Sequence, residues 1–177
     1  VGTISDYKKF LTPFVNRAIE DGRNIVYFKF ANKKPLFDDP SDDTIDSINN
    51  ESISTDLTKI KIFQLDPNIG FNYFTLKISE IIKSEVKNTF YIFDNLTCLQ
   101  RMWHSDSMII NFFSVICSYL HDLNAVSCFS IMRKAHSYVL PSKAREIAKV
   151  IFDIYTIDDK YYIHPLKVSD RVSPTMF

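Results

Sequence analysis

Glycine is nearly missing: the 177 residues contain three, Gly2, Gly22 and Gly70, each isolated. A phosphate-cradling G-x-x-x-x-G-K-[ST] loop needs glycines at close spacing, because only glycine lets backbone N–H groups wrap a phosphate so tightly. The chain cannot build one, which excludes a self-sufficient P-loop hydrolase. Cysteine is also sparse, and Cys98, Cys117 and Cys128 stand far apart inside apolar runs with no C-x-x-C pair. They read as reduced core thiols rather than metal ligands, so no structural metal is expected and a cytoplasmic setting follows. No apolar run approaches the roughly 18 residues that span a bilayer, and no basic segment followed by an apolar one opens the sequence. An excess of one charge is absent too, since 21 Lys plus Arg balance 21 Asp plus Glu. With no net field, neither nucleic acid nor an anionic membrane is an expected partner.

What is present is a core-forming chain, 46% hydrophobic and 14% aromatic, of a length that fits one domain over residues 1–177. Tyr7, Phe10, Leu11, Phe14, Ala18 and Ile19 recur at helical spacing between Ser5 and Asp21, and Gly22 offers a left-handed stop. Pro13 inside that stretch predicts a break near Thr12. Runs of β-branched and aromatic residues predict strands at 25–30, 60–65, 89–93, 125–132 and 150–157. Amphipathic helices are predicted around Phe71 to Ile82, Ser107 to Leu120 and Pro141 to Lys149, with the stretch between Asn95 and Ser107 irregular. Residues 38–58 read as a flexible acidic loop, carrying Asp38, Asp39, Asp42, Asp43, Asp46, Glu51 and Asp56 but lacking the glycine and distal glutamate of a calcium loop. Asp158 and Asp159 join the last strand to Tyr161–Val168 as a tight hairpin. Strands alternating with helices predict an α/β fold, a mainly parallel sheet covered on both faces with an antiparallel C-terminal hairpin at its edge.

Ligands gather at the carboxyl ends of the strands in such sheets, so the residues there are the chemical candidates. Asp94 ends the apolar strand 89–93, the place where nucleotide-binding α/β proteins hold magnesium; the plainer reading is a carboxylate capping the next turn. Arg133, Lys134 and His136 follow one strand, and Lys167 and Arg171 follow the last. If the two loops meet, these groups clamp phosphate or carboxylate oxygens; otherwise they are surface charge. Of the four histidines His136 is the best placed, since His104 belongs to a turn, His121 ends a helix and His164 lies in a strand. Trp103 reads as a packing anchor, and Ser105 or Asp106 as the cap of the following helix. No nucleophile can be named, because a triad is a matter of geometry. Behind the strand 25–30 come Ala31, Asn32, Lys33 and Lys34, with no carboxylate to activate a water.

The segments YIFDNLTCLQRMWHSDSMIINFFSVICSYL, FSIMRKAHS and HPLKVSDRVSPTMF, with ISDYKKFLTPFVNRAIEDGRNIVYFKFANKKPLF near the start, resemble one family. It is the RecA/KaiC-like domain at the N-terminus of large proteins related to phosphoenolpyruvate synthase and pyruvate phosphate dikinase. The combination W-x-S-D, N-F-F, R-x-x-H-S and P-L-K-V-x-x-R-x-S-P-T-M-F carries the resemblance, which covers nearly everything but the acidic loop. It implies a RecA-like three-layer sandwich, with Asp94 at the Walker B position and Arg171 near the basic residues that reach a neighbouring subunit's nucleotide. ATP and magnesium are the implied ligands. Asp94, Arg133, His136, Ser137, Lys167 and Arg171 are then the nucleotide- or phosphate-binding candidates, with Asp94 the magnesium ligand.

The resemblance further implies that the chain is a fragment lacking its first strand, with phosphoenolpyruvate/pyruvate-binding domains downstream in the parent protein. The absent strand is expected beside the Asp94 strand, leaving an unpaired edge at 90–93 that a homo-oligomer would cover. The expected function is a catalytically degenerate module that binds a nucleotide or phosphorylated ligand weakly, or serves regulation and assembly. The alternatives are a competent magnesium-dependent ATPase or kinase domain and a pure oligomerisation scaffold.

Overall fold

The computed structural model describes residues 4–30, 60–85, 87–158 and 160–169. The acidic loop at 38–58 and Arg171 lie outside the described residues. Strands β1 (Asn24–Lys29), β2 (Ile60–Gln64), β3 (Thr89–Phe93) and β4 (Val126–Phe129) pair in parallel in the order β2-β1-β3-β4. Successive side chains leave a strand on opposite faces. Ile25 and Tyr27 of β1 and Phe90 and Ile92 of β3 therefore pack on one side, while Val26, Phe28, Tyr91 and Phe93 pack on the other. Both faces are apolar, which is why the sequence shows unbroken hydrophobic runs here rather than alternation.

Each face acquires its cover from an amphipathic helix stripe. Helix α1 (Ile4–Glu20) seals the first through Leu11, Val15 and Ala18. On the second face lie α2 (Phe71–Ser84), the short α3 (Thr97–Trp103), α4 (Asp106–Asp122) and α5 (Val139–Ile147). Phe74, Ile78 and Ile82 of α2 and Ile109, Phe112, Ile116 and Leu120 of α4 are buried against it. Trp103 is the packing anchor its sequence position suggested. Its ring sits edge-on to Phe71, Phe74 and Phe112 at 5.3, 5.4 and 5.9 Å, and its Nε1–H donates to the Pro67 carbonyl at 3.1 Å. Among the described residues no helix is long and apolar enough to cross a membrane.

Four expectations are corrected. Helix α1 runs through Pro13 without a break. Proline removes the N–H that would reach Lys9, but Leu11 and Val15 on either side are fully buried, and the Thr12 hydroxyl donates to the Lys8 carbonyl at 2.8 Å. The stretch after Asn95 is not irregular, because it forms α3. The Asn95 side chain accepts the Thr97 N–H at 3.0 Å to start that helix, and His104, at φ 50°, ends it in the left-handed region. Strand β3 has no open edge, since β1 and β4 flank it on both sides. Finally, β5 (Val150–Ile157) and β6 (Lys160–Val168) form the predicted antiparallel hairpin, but as a sheet of their own. The hairpin leans on α1, where Phe152 meets Phe10 at 5.5 Å. The parallel sheet therefore ends at β4, and among the described residues the outer edges of β4 and β5 have no strand partner.

Candidate functional site

The strand order makes β1 and β3 neighbours whose onward connections lead to opposite sides, one to β2 and one to β4. Such a switch point opens a crevice outside the carboxyl ends of the strands. Asp94 leaves β3 there, its N–H donating to the Phe28 carbonyl at 2.9 Å. Together with Asn95 and Tyr7 it also lines a crevice of about 1310 Å³ that opens on the β4 side of the sheet, to which the β4–α5 connection contributes Arg133, Lys134 and His136. Three residues expected at a ligand site, Asp94, Arg133 and His136, thus share one cavity. Two backbone bonds set the rim: the Asn95 N–H donates to Ser130 Oγ at 2.9 Å, and the Leu96 N–H to the Ser130 carbonyl at 2.8 Å.

His136 is held on both ring nitrogens. Nε2 lies 2.8 Å from Thr97 Oγ1 and Nδ1 lies 2.9 Å from Asp106 Oδ1. Thr97 Oγ1 already accepts the Met132 N–H at 2.9 Å. The ionised carboxylate can only accept, so Nδ1 carries a hydrogen and donates to Asp106, while Nε2 and the Thr97 hydroxyl share the second bond. The second carboxylate oxygen of Asp106 accepts the Ser137 N–H at 2.8 Å. Burial alone would raise the Asp106 carboxyl, but hydrogen bonds from the Ser137 side chain, His136 and the Ser137 backbone, with the imidazole's charge, bring the net shift below its ordinary value. The order hydroxyl, imidazole, carboxylate is that of a nucleophile relay. The His136 side chain is only 1% exposed, however, and Thr97 8%, so the arrangement serves as a clasp joining α3, α4 and the β4–α5 connection.

The cationic candidates are engaged as well. Arg133 pairs with Asp153 of β5 at 3.4 Å and stacks over the Tyr155 ring at 5.4 Å. Lys167 donates to the Arg145 and Glu146 carbonyls at 2.5 and 3.4 Å, closing the last turn of α5 instead of facing Asp94. Ser137 belongs to the clasp through its backbone N–H and its side chain. Lys134 is exposed at the rim, with φ 59° in the left-handed region.

Sulfur chemistry is suppressed. Burial pushes the Cys117 thiol up to about 12 and raises Cys128, while the Tyr7 phenol, raised first by burial and then by Cys128 at 3.7 Å, also stays protonated. All three cysteines are free thiols, as expected. Among the described residues no cluster of three His, Cys, Asp or Glu forms a metal cage. A magnesium ion at Asp94 would hold mostly water and phosphate oxygens, which is how that ion is usually bound. Thr97, Asp106, Ser130 and Tyr7 went unread as partners of the rim because the bonds that unite them span 30 to 39 residues or, for Tyr7, 121. No protein-family model matches the chain, and no curated protein matches it.

Proposed function

We propose that the chain is a catalytically degenerate RecA/KaiC-like module that binds a nucleotide or other phosphorylated ligand weakly at the carboxyl rim of its sheet. In this reading it serves regulation or assembly in a larger phosphotransfer protein of the phosphoenolpyruvate synthase and pyruvate phosphate dikinase type. The observation that carries it is Asp94 at the switch point, lining one cavity with Arg133, Lys134 and His136. A carboxylate for a hydrated magnesium ion and cations for phosphate oxygens are the two halves of a nucleotide rim. Weak binding follows because Arg133 must leave Asp153 to contribute, and His136 has no nitrogen to spare. Turnover is not expected: the chain has no glycine-rich loop, and the hydroxyl–imidazole relay of Thr97 and His136 is buried.

Calorimetric titration with magnesium-ATP tests the reading. Binding without phosphate release, weakened several-fold by Lys134→Ala and by Asp94→Asn, is the expected result. Heat that is absent at millimolar nucleotide leaves only assembly. Turnover abolished by Asp94→Asn makes the chain an ATPase or kinase domain.

A further inference from the structure

The crevice that reaches the rim also runs down the flank of the sheet, and its walls there are of one kind. Every residue of β4, Val126 through Phe129, lines it, and so does every residue of β5 from Val150 through Ile154. Alternate side chains of a strand point to opposite faces, so consecutive residues line a single cavity only where the strand presents its edge. Among the described residues strand β4 is bonded to β3 alone and β5 to β6 alone. Two unpaired rows of N–H and C=O groups thus border one slot, at the level of the sheet. The faces of the slot are closed in the same way as those of the rest of the sheet, by Phe10 and Phe14 of α1 on one side and Phe113 and Cys117 of α4 on the other. Both covering layers are in place, and the middle layer is interrupted.

We infer that this slot is a strand-acceptor site, which takes an extended apolar segment of a partner polypeptide between β4 and β5. Backbone edges on both sides select a peptide backbone over a compact small molecule. The walls fix the length at about five residues, at roughly 3.3 Å each along the strand. Because α1 and α4 lie on opposite faces, the segment must be apolar at successive positions rather than alternate ones, like β3 itself. Half-exposed residues mark what is lost without it: Val126 is 49% exposed and Phe14 47%, although both face the crevice. This inference stands apart from the nucleotide rim, and its test contains no nucleotide.

The probe is a lysine-flanked Val-Ile-Val-Phe-Val peptide, and the control is the same peptide with proline at its centre, which removes a ladder donor. The expected result is binding to the whole chain that slows amide exchange in 126–129 and 150–154 together, with the proline peptide at least tenfold weaker. Phe14→Asp and Val126→Lys, both at half-exposed positions, should each weaken the apolar peptide tenfold or more while the circular dichroism spectrum is retained. Equal binding of the two peptides, or protection of one edge only, overturns the inference. So does exchange already slow at both edges in the chain alone, which would mean the slot is filled from within. A concentration-dependent dimer that the peptide dissociates would replace the partner segment with a second copy.

Discussion

At the scale of single residues, the molecule spends its best chemical groups on holding itself together. His136, the most promising histidine of the sequence, is fixed by Thr97 and Asp106, and the depressed Asp106 carboxyl follows from accepting those bonds. A carboxyl whose folded-state value lies below its ordinary 3.8 contributes stability above that pH and loses it as the pH falls through the lower folded value. Urea denaturation should accordingly show Asp106→Asn less stable by about 1.5–3 kcal/mol near pH 7, the range for hydrogen bonds to charged groups, with the gap narrowing below about pH 4. A gap that is constant from pH 7 to pH 3 would mean the ionised form is not what the clasp uses. None of this was legible in the sequence beyond the likeness of Asp106 to a helix-start residue. Ser105 turns out to be the cap, accepting the Met108 N–H at 3.3 Å, which leaves Asp106 for a longer-range partner.

At the scale of elements, periodicity located nearly every helix and strand, because both faces of the sheet and one stripe of each long helix must be apolar. Two misreadings have distinct causes. Pro13 is a local penalty that the burial of α1 outweighs, and α3 is too short to display a helical period, so its start rests on the Asn95 side chain instead. The value of a stripe residue can be measured at Phe112, which is fully buried and meets Phe30, Phe74 and Trp103 with ring centroids 6.1, 5.6 and 5.9 Å away. Phe112→Ala should lower the unfolding free energy by about 3–5 kcal/mol, read from thermal or urea melts. The hairpin is a different kind of element, with Val150, Ile163 and Leu166 each more than 40% exposed. Its attachment includes the Arg133–Asp153 pair and the Phe10–Phe152 contact. Arg133→Ala should therefore speed amide exchange in 150–157 and 160–168 by several-fold and leave β1 and β3 unchanged. A uniform rise across all strands would show that the hairpin and the sheet unfold as one.

At the scale of the whole molecule, composition and alternation were enough for the α/β architecture, but not for the order in which strands meet. Strands β1 and β3 are separated in sequence by β2 yet lie side by side, and with β4 on its other side β3, where an open edge was expected, is interior, so that β2 and β4 are the edge strands among the described residues. The candidate site was half legible for the same reason. Asp94 and Arg133 could be nominated from strand ends, whereas the diversion of Lys167 to the end of α5 depends on how the hairpin folds back. The covers of the two faces are also unequal. One side of the sheet is shared by four helices, while among the described residues the other has α1 alone. That asymmetry sets where the protein is vulnerable. A fluctuation that lifts one helix bares Ile25, Tyr27, Phe90 and Ile92 at once and releases the Phe10 support under β5. Detachment of this single roof beam, rather than gradual loosening of the interior, should be the first event in thermal failure, and a ligature between α1 and β5 would be the most economical way to lengthen the protein's working life.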